Sequence, residues 1–146
     1  MKRQLTLAIA AMMFVAVLVT AAQSQNASSP LMRAHIPFAF HAGSKELPAG
    51  EYTITVLNPS SDRKVLQIRS ADGRASAIVS TLGRKTNTLE QSKVVFHRYG
   101  DSYFFAQTQV AGESMALAAL KSRAETQEER MIASHGGSVT VSIAAE

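Results

Sequence analysis

An alternation of apolar and polar side chains with a period of two recurs along the chain from Leu31 onward, and it constrains the fold more than any other feature. Successive side chains of a β-strand point to opposite faces of a sheet, so this alternation predicts half-buried strands. The first run places four apolar residues on one face: Ala34, Ile36, Phe38 and Phe40. Pro37 cannot donate a hydrogen bond between strands, so we expect this run to lie at a sheet edge or to contain a bulge.

Six further runs have the β-branched and aromatic content of strands. They cover residues 51–57, 65–70, 75–81, 93–99, 102–110 and 139–143. Asp72-Gly73 predicts a type I′ hairpin turn and Gly100-Asp101 a type II′ turn, because glycine adopts positive φ without strain. The second hairpin holds most of the aromatic residues, so we expect it at the centre of the core. Residues 82–92 are polar and predict an exposed loop, whereas residues 111–119 fit no single element.

Ser122-Arg123-Ala124-Glu125 matches a capping box, in which a serine and a glutamate cap the first turn of a helix. It predicts a short helix over residues 123–133, with an apolar stripe of Ala124, Met131 and Ile132 and a stop at Gly136. Glu125 and Glu129 share one face, which could hold a cation or exchange protons. The positive end of the helix dipole stabilises carboxylates in the first turn, which is reason enough for glutamates there without a ligand. We therefore expect this face of the helix to be solvated.

Together these patterns predict a mainly β fold, a small antiparallel β-sandwich or barrel of about seven strands with one short C-terminal helix. The chain contains no cysteine, so disulfides cannot stabilise it. Strand pairing and the packing of an apolar core must do so.

The first two dozen residues have the pattern of a secretory signal peptide. Lys2 and Arg3 precede an apolar run from Leu5 to Val19, and small residues follow it. We expect a signal peptide at 1–22, a flexible leader at 23–30 and one β domain at 31–146. The alternative is an uncleaved anchor, but a spanning helix needs about 20 apolar residues. The protein is therefore expected in the periplasm or outside the cell, with membrane contact only through the uncleaved signal peptide.

Charge gives little reason to expect a nucleic-acid partner. Removing Lys2 and Arg3 with the signal peptide leaves 13 basic against 11 acidic residues, a net charge of +2. The basic residues are scattered along the chain, as on an ordinary solvated surface, and do not form a patch that would attract phosphates.

No catalytic, cofactor-binding or metal-binding residues are assigned from the sequence. The histidines lack the spacing of a metal motif: His35, His41, His97 and His135. There is no cysteine, no Gly-x-Ser-x-Gly turn and no glycine-rich phosphate loop. In the strand over 93–99, Phe96 and Arg98 should share one face, with Phe96 in the core, and His97 and Tyr99 should share the other.

Five segments, in this order, resemble a family of short exported bacterial proteins of unknown function. They are Ile36–Phe40, Leu47–Tyr52, Ser70–Arg74, Val95–Phe104 and Leu120–Arg123. The most specific part is Phe96-His97-Arg98-Tyr99-Gly100-Asp101. The resemblance implies an exported protein with one continuous domain, and it carries no activity, cofactor or substrate. It makes His97, Arg98 and Asp101 candidates for an interaction site.

The expected function is a non-enzymatic binding or interaction module of the bacterial envelope, with a partner in the envelope or outside the cell. One alternative is a carrier that holds a small apolar or lipid-like ligand inside a barrel. Another is a hydrolase of envelope polymers, which would need a cluster among Asp62, Asp72, Glu90 and Asp101.

Export predicts a defined new amino terminus. Intact-mass and amino-terminal analysis of the protein from the periplasm or medium of an expressing bacterium should find a chain that begins at Gln23 or Gln25, after cleavage behind Ala22 or Ser24. A chain that keeps residues 1–22 and stays in the membrane fraction would favour the anchor instead.

Overall fold

Ten strands and one helix make up the part of the chain that the computed structural model describes, residues 30–133 and 137–146. The strands are β1 (Pro30–Ile36), β2 (Phe40–Ala42), β3 (Lys45–Leu47), β4 (Gly50–Val56), β5 (Val65–Ser70), β6 (Ser76–Lys85), β7 (Lys93–Tyr99), β8 (Ser102–Gln109), β9 (Met115–Ala119) and β10 (Val139–Ala144). Helix α1 (Arg123–Ile132) lies between β9 and β10. The predicted signal peptide, the leader up to residue 29, and His135 and Gly136 lie outside the described residues.

Backbone hydrogen bonds join all ten strands into one open, mixed sheet. Its main path runs β1-β4-β5-β6-β9-β8-β2-β3, while β7 pairs with both β8 and β10. The long strand β6 connects two parts of this path, because Ser76–Ser80 pairs with β5 and Thr81–Lys85 pairs with β9. The pairing of β2 with β8 is parallel, at His41 and Phe104, so the prediction of a purely antiparallel sheet is wrong there.

The residues that follow β10 are hydrogen-bonded to the first strand. The Arg33 N–H donates to the Glu146 carbonyl oxygen at 2.7 Å, and the Glu146 N–H donates to the Arg33 carbonyl oxygen at 2.9 Å. Ala145 donates its N–H to the Ser92 carbonyl oxygen at 2.9 Å. The end of β10 therefore lies beside β1, although these two strands stand far apart along the hydrogen-bonded path.

The mainly β prediction is confirmed, and each of the seven predicted runs contains a strand. The first run is split into β1 and β2, because Pro37 interrupts the pairing. The short β3 and the unassigned β9 bring the count to ten rather than seven. The predicted loop over 82–92 is wrong for residues 82–85, which belong to β6 because they pair with β9.

The two hairpin turns differ in how well they were predicted. Gly100 has a φ of 60° between the paired residues Tyr99 and Ser102, as its place in a type II′ turn requires. A type I′ turn at Asp72-Gly73 is wrong, because it needs positive φ at both residues and every positive φ in the described part belongs to a glycine.

A four-residue loop over 71–74 forms instead, closed by the Ser70 N–H, which donates to the Ala75 carbonyl oxygen at 2.8 Å. Asp72 accepts hydrogen bonds from the Ser70 hydroxyl at 2.5 Å and from the Arg74 N–H at 3.0 Å. These bonds favour the ionised carboxylate and lower the pKa of Asp72. The side chain of Asp72 thus organises a wider turn than its dipeptide predicts.

Aromatic rings in edge-to-face contact form the centre of the core. Phe96 of β7 is fully buried, and its ring centroid lies 5.2 Å from those of Phe38 and Phe40 and 6.2 Å from that of Phe105. Phe40 also packs against the buried ring of Tyr52 at 5.2 Å. The β7–β8 hairpin therefore supplies the central core residue, as predicted, and the interior is filled by side chains from both ends of the sheet.

We predict that Phe96→Ala lowers the free energy of unfolding by about 3–5 kcal/mol, because it leaves a cavity among three rings that cannot all move to fill it. Chemical denaturation monitored by circular dichroism measures this loss. Ile78→Ala is the matched control, since Ile78 is 63% exposed on β6 and its truncation should change stability by less than about 0.5 kcal/mol. Equal losses for the two variants would contradict the assignment of the core.

Candidate functional site

Helix α1 begins as the capping box predicts and then departs from it. The Ser122 hydroxyl accepts the Glu125 N–H at 3.1 Å, and the Ser122 carbonyl oxygen accepts the Thr126 N–H at 3.0 Å. The Glu125 carboxylate, however, bonds to strand β7: Oε1 lies 2.7 Å from His97 Nδ1 and accepts from the Tyr99 hydroxyl at 3.4 Å. Glu125 thus links the first turn of the helix to the sheet.

Glu125 is the buried residue of α1, with 5% of its side chain exposed. The expectation that its face of the helix is solvated is therefore wrong for Glu125. His97 and Tyr99 supply the hydrogen bonds that a carboxylate needs in order to be buried. The predicted apolar stripe is wrong for two of its three residues, since Ala124 is exposed and Met131 is 53% exposed, whereas Ile132 is half-buried.

His97 lies in a row of side chains that crosses four strands. It pairs with Thr140 of β10 on one side and with Phe104 of β8 on the other, and Phe104 pairs with His41 of β2. The His41 ring stacks on Phe104 with centroids 4.8 Å apart, and Tyr99 packs edge-on against Phe104 at 5.7 Å. Phe96 faces the core from the same strand, so His97 and Tyr99 share the opposite face, as predicted.

An open groove of about 380 Å³ runs beside this row, and we call it the His97 groove. Its polar lining is Arg84, His97, Gln107, Lys121 and Thr140. Small or aliphatic residues line the rest of it: Val95, Ala106, Ala118 and Ala119. Of these, Ala119 pairs with buried Thr81 and packs its side chain against the core. His97 is 32% exposed, so its ring reaches from the buried carboxylate of Glu125 to the solvent in the groove.

The partner of His97 determines which ring nitrogen faces a ligand. A carboxylate oxygen only accepts hydrogen bonds, so we assign the proton of this bond to His97 Nδ1. Nδ1 is then occupied by Glu125, and Nε2 is the nitrogen left for a molecule in the groove. A carboxylate that fixes one imidazole nitrogen in this way also fixes the orientation of the ring.

Tyr99, which bonds to Glu125, and Lys121, which lines the groove, have shifted pKa values. Burial raises the pKa of the Tyr99 phenol, and the negative charge of Glu125 raises it further, while the charge of Lys121 acts in the opposite direction. The pKa of Lys121 is raised by its hydrogen bond to Glu129, with Nζ 2.6 Å from Oε1. Lys121 is therefore held as a cation beside the groove.

The other two candidates from the sequence lie apart from His97. Arg98 is on the opposite face of β7, 3.7 Å from the Asp101 carboxylate and 5.5 Å from the centroid of the Tyr103 ring. Its Nε donates to the Gly100 carbonyl oxygen at 2.7 Å. Arg98 therefore contacts the tip of the β7–β8 hairpin through the Gly100 carbonyl and the fully exposed carboxylate of Asp101. The structure does not place them with His97 in one site, and an interaction role for them stays a prediction.

Other constellations from the sequence are not assembled within residues 30–133 and 137–146. No three histidine, aspartate or glutamate side chains there could hold a metal ion. His35 bonds to Glu51 at 2.7 Å on an exposed edge, away from His41 and His97. The four acids of the hydrolase alternative lie in four different connections between strands: Asp62, Asp72, Glu90 and Asp101. No helix among the described residues is long and apolar enough to span a membrane.

Sequence reasoning missed Arg84, Lys121 and the buried role of Glu125. Arg84 belongs to a basic doublet that reads as a solvated loop, and only its pairing in β6 places it at the groove. The glutamate of the capping box was the one available signal for Glu125. Its burial depends on β7 passing beneath the helix, which local sequence does not encode.

Glu125→Gln should lower the pKa of Tyr99, because it removes the nearby negative charge that disfavours tyrosinate. Tyrosine ring NMR during an alkaline titration measures this shift, with Tyr99→Phe to assign the signal and Glu128→Gln as a control from the same helix. Equal shifts of the Tyr99 pKa in Glu125→Gln and Glu128→Gln would contradict the contact between Tyr99 and Glu125.

The raised pKa of Tyr99 also determines whether the free energy of unfolding rises or falls at alkaline pH. The unfolded chain ionises its tyrosines from about pH 10, while folded Tyr99 stays neutral. Unfolding therefore releases a proton there, and the free energy of unfolding should fall as the pH rises through that range. Urea titrations across that range should show a smaller fall for Tyr99→Phe than for the wild type.

Comparisons with protein-family models, with curated proteins and with solved structures give no match for this chain. The geometry of the His97 groove is therefore the indication of its function.

Proposed function

We propose that the protein is a non-enzymatic binding module of the bacterial envelope and that it binds its partner through the His97 groove. The observation that carries this proposal is the buried Glu125 carboxylate that holds a partly exposed imidazole at the groove wall. Placement in the envelope rests on the predicted signal peptide.

The energetics of Glu125 favour a functional interpretation. Burying a carboxylate costs several kcal/mol of desolvation, and apolar residues of similar size often stabilise a fold as well or better. Helix α1 is nevertheless attached to the sheet through this charge. What the arrangement gains is a fixed ring orientation at a surface that a ligand can reach, which is typical of sites that recognise a partner.

Binding fits the groove better than catalysis. Among the described residues, Glu125 is the one hydrogen-bond partner of the His97 ring, so no hydroxyl is positioned as a nucleophile for a histidine base. Thr140 lines the groove without a hydrogen bond to His97. The groove is also open to water, whereas covalent chemistry gains from a site that excludes it.

We also propose that the sheet closes into a small barrel, not a sandwich. The two hydrogen bonds between Arg33 and Glu146 support this architecture, because they join the last described residue to the first strand. Phe40, Tyr52 and Phe96 fill the interior, with at most 2% of each residue exposed. This filling favours a ligand site on the outside over a carrier cavity within.

Filling the groove tests the proposal. Ala118→Phe places a ring over the groove, while Ala144→Phe places one at an exposed position of β10, four residues or about 13 Å beyond Thr140. We expect wild type and Ala144→Phe to recover the same component from a bacterial envelope extract and Ala118→Phe to lose it, at equal thermal stability. Undiminished recovery by Ala118→Phe would place the binding surface elsewhere.

A further inference from the structure

The polar groups of the His97 groove differ in what they offer a ligand. His97 Nδ1 donates to Glu125, so in the neutral ring Nε2 is a hydrogen-bond acceptor. A ligand group that meets Nε2 must therefore be a donor, such as a hydroxyl. Gln107 and Thr140 line the same groove and both donate and accept, which also suits hydroxyl groups.

Arg84 adds a different requirement. Lys121 is paired with Glu129 at 2.6 Å, and His97 is paired with Glu125. Arg84 forms no ion pair with any residue in the described ranges, and it is one of the residues that line the groove. A guanidinium forms its strongest hydrogen bonds with a planar carboxylate, which it can bind through two parallel N–H groups.

We propose that the groove binds a hydroxylated carboxylate, such as the uronic acid unit of an acidic saccharide, with its carboxylate on Arg84 and a hydroxyl donating to His97 Nε2. This inference rests on the proposed binding function and names the chemical class of its ligand. The small side chains of Ala106 and Ala118 let a sugar ring approach the strands closely.

The charges around the groove favour one negative charge on the ligand. Glu129 offsets the charge of Lys121, and the Glu125 carboxylate beside the neutral ring of His97 stays negative. Arg84 is then the one unpaired cation among the described residues that line the groove, and a ligand of higher charge, such as a phosphate dianion, would be repelled by the two carboxylates. A neutral sugar would leave the guanidinium of Arg84 without its best partner.

Three probes separate the two contacts: glucuronate carries both groups, glucose carries the hydroxyls alone and acetate carries the carboxylate alone. NMR titration of the full-length expressed protein, up to the order of 50 mM of each, would follow the backbone amides of the groove and the ring nitrogens of His97. We expect glucuronate to bind about tenfold more tightly than either single-group probe, because both contacts form together.

Variants assign each contact. Arg84→Gln should reduce the affinity for glucuronate about tenfold, to that for glucose, while Arg63→Gln, in the exposed loop before β5, should leave it unchanged. Glu125→Gln tests a positioning role: it should weaken the binding of glucose, which depends on the hydroxyl contact with His97, without weakening the binding of acetate, and it should alter the nitrogen shifts of His97. Acetate that binds as tightly as glucuronate, an ineffective Arg84→Gln, or unshifted groove amides would overturn the inference.

The experiments distinguish a failure of this inference about the ligand from a failure of the proposed function. If Ala118→Phe abolishes recovery of the envelope component while glucuronate shifts no groove amide, the groove is a binding site for another class of ligand and this inference is wrong. If glucuronate binds as described while recovery is insensitive to Ala118→Phe, the ligand class stands, and the envelope component binds at a surface other than the His97 groove.

Discussion

The side-chain alternation of β7 ties the core of this protein to its candidate site. Phe96 points inward to the centre of the aromatic core, while His97 and Tyr99, on the other face, meet the carboxylate of Glu125. The turn at Gly100 sets the register of this strand against β8. A slip by one residue would exchange the two faces, so the packing of Phe96 also fixes where His97 lies.

Helix α1 depends on this strand in turn. A helix of ten residues is marginal on its own and persists through tertiary contact. Most helices of this kind attach through an apolar stripe, but here the buried side chain is Glu125, and Ile132 reaches the glycine of the hairpin turn at the far end. Attachment through a hydrogen-bonded charge costs stability but fixes direction, and the direction it fixes is that of the His97 ring.

The sequence predicts the elements that depend on local interactions and misses those that depend on contacts with distant parts of the chain. Alternation and turn residues act over a few positions, and they identified the hairpin of β7 and β8, the start of α1 and the inward place of Phe96. The strands β2, β3 and β9 are short or weakly patterned, and they exist because a partner strand lies beside them. No local rule reports such a partner.

The candidate site was predicted in the same partial way. The resemblance of its hairpin segment to a family of exported proteins made His97 a candidate, while Glu125 was predicted as a cap and as part of a solvated face. Arg84 and Lys121 reach the groove from β6 and from the segment before α1, and Glu125 of α1 meets His97 behind it. The meeting of these residues depends on the order of strands in the sheet. The sequence gives the chemistry of each side chain, but the topology of the sheet determines which side chains meet at one site.

The groove lies on the outward face of strands whose other face packs in the core. Thr81 and Thr108 are buried, and they alternate with Leu82 and Gln107 on the outward face of the same strands. Ala118 lies on that outward face between Leu82 and Gln107. A larger residue there would cover more of the strands and fill the groove. The small side chain at this position therefore keeps the groove open, as the proposed ligand site requires.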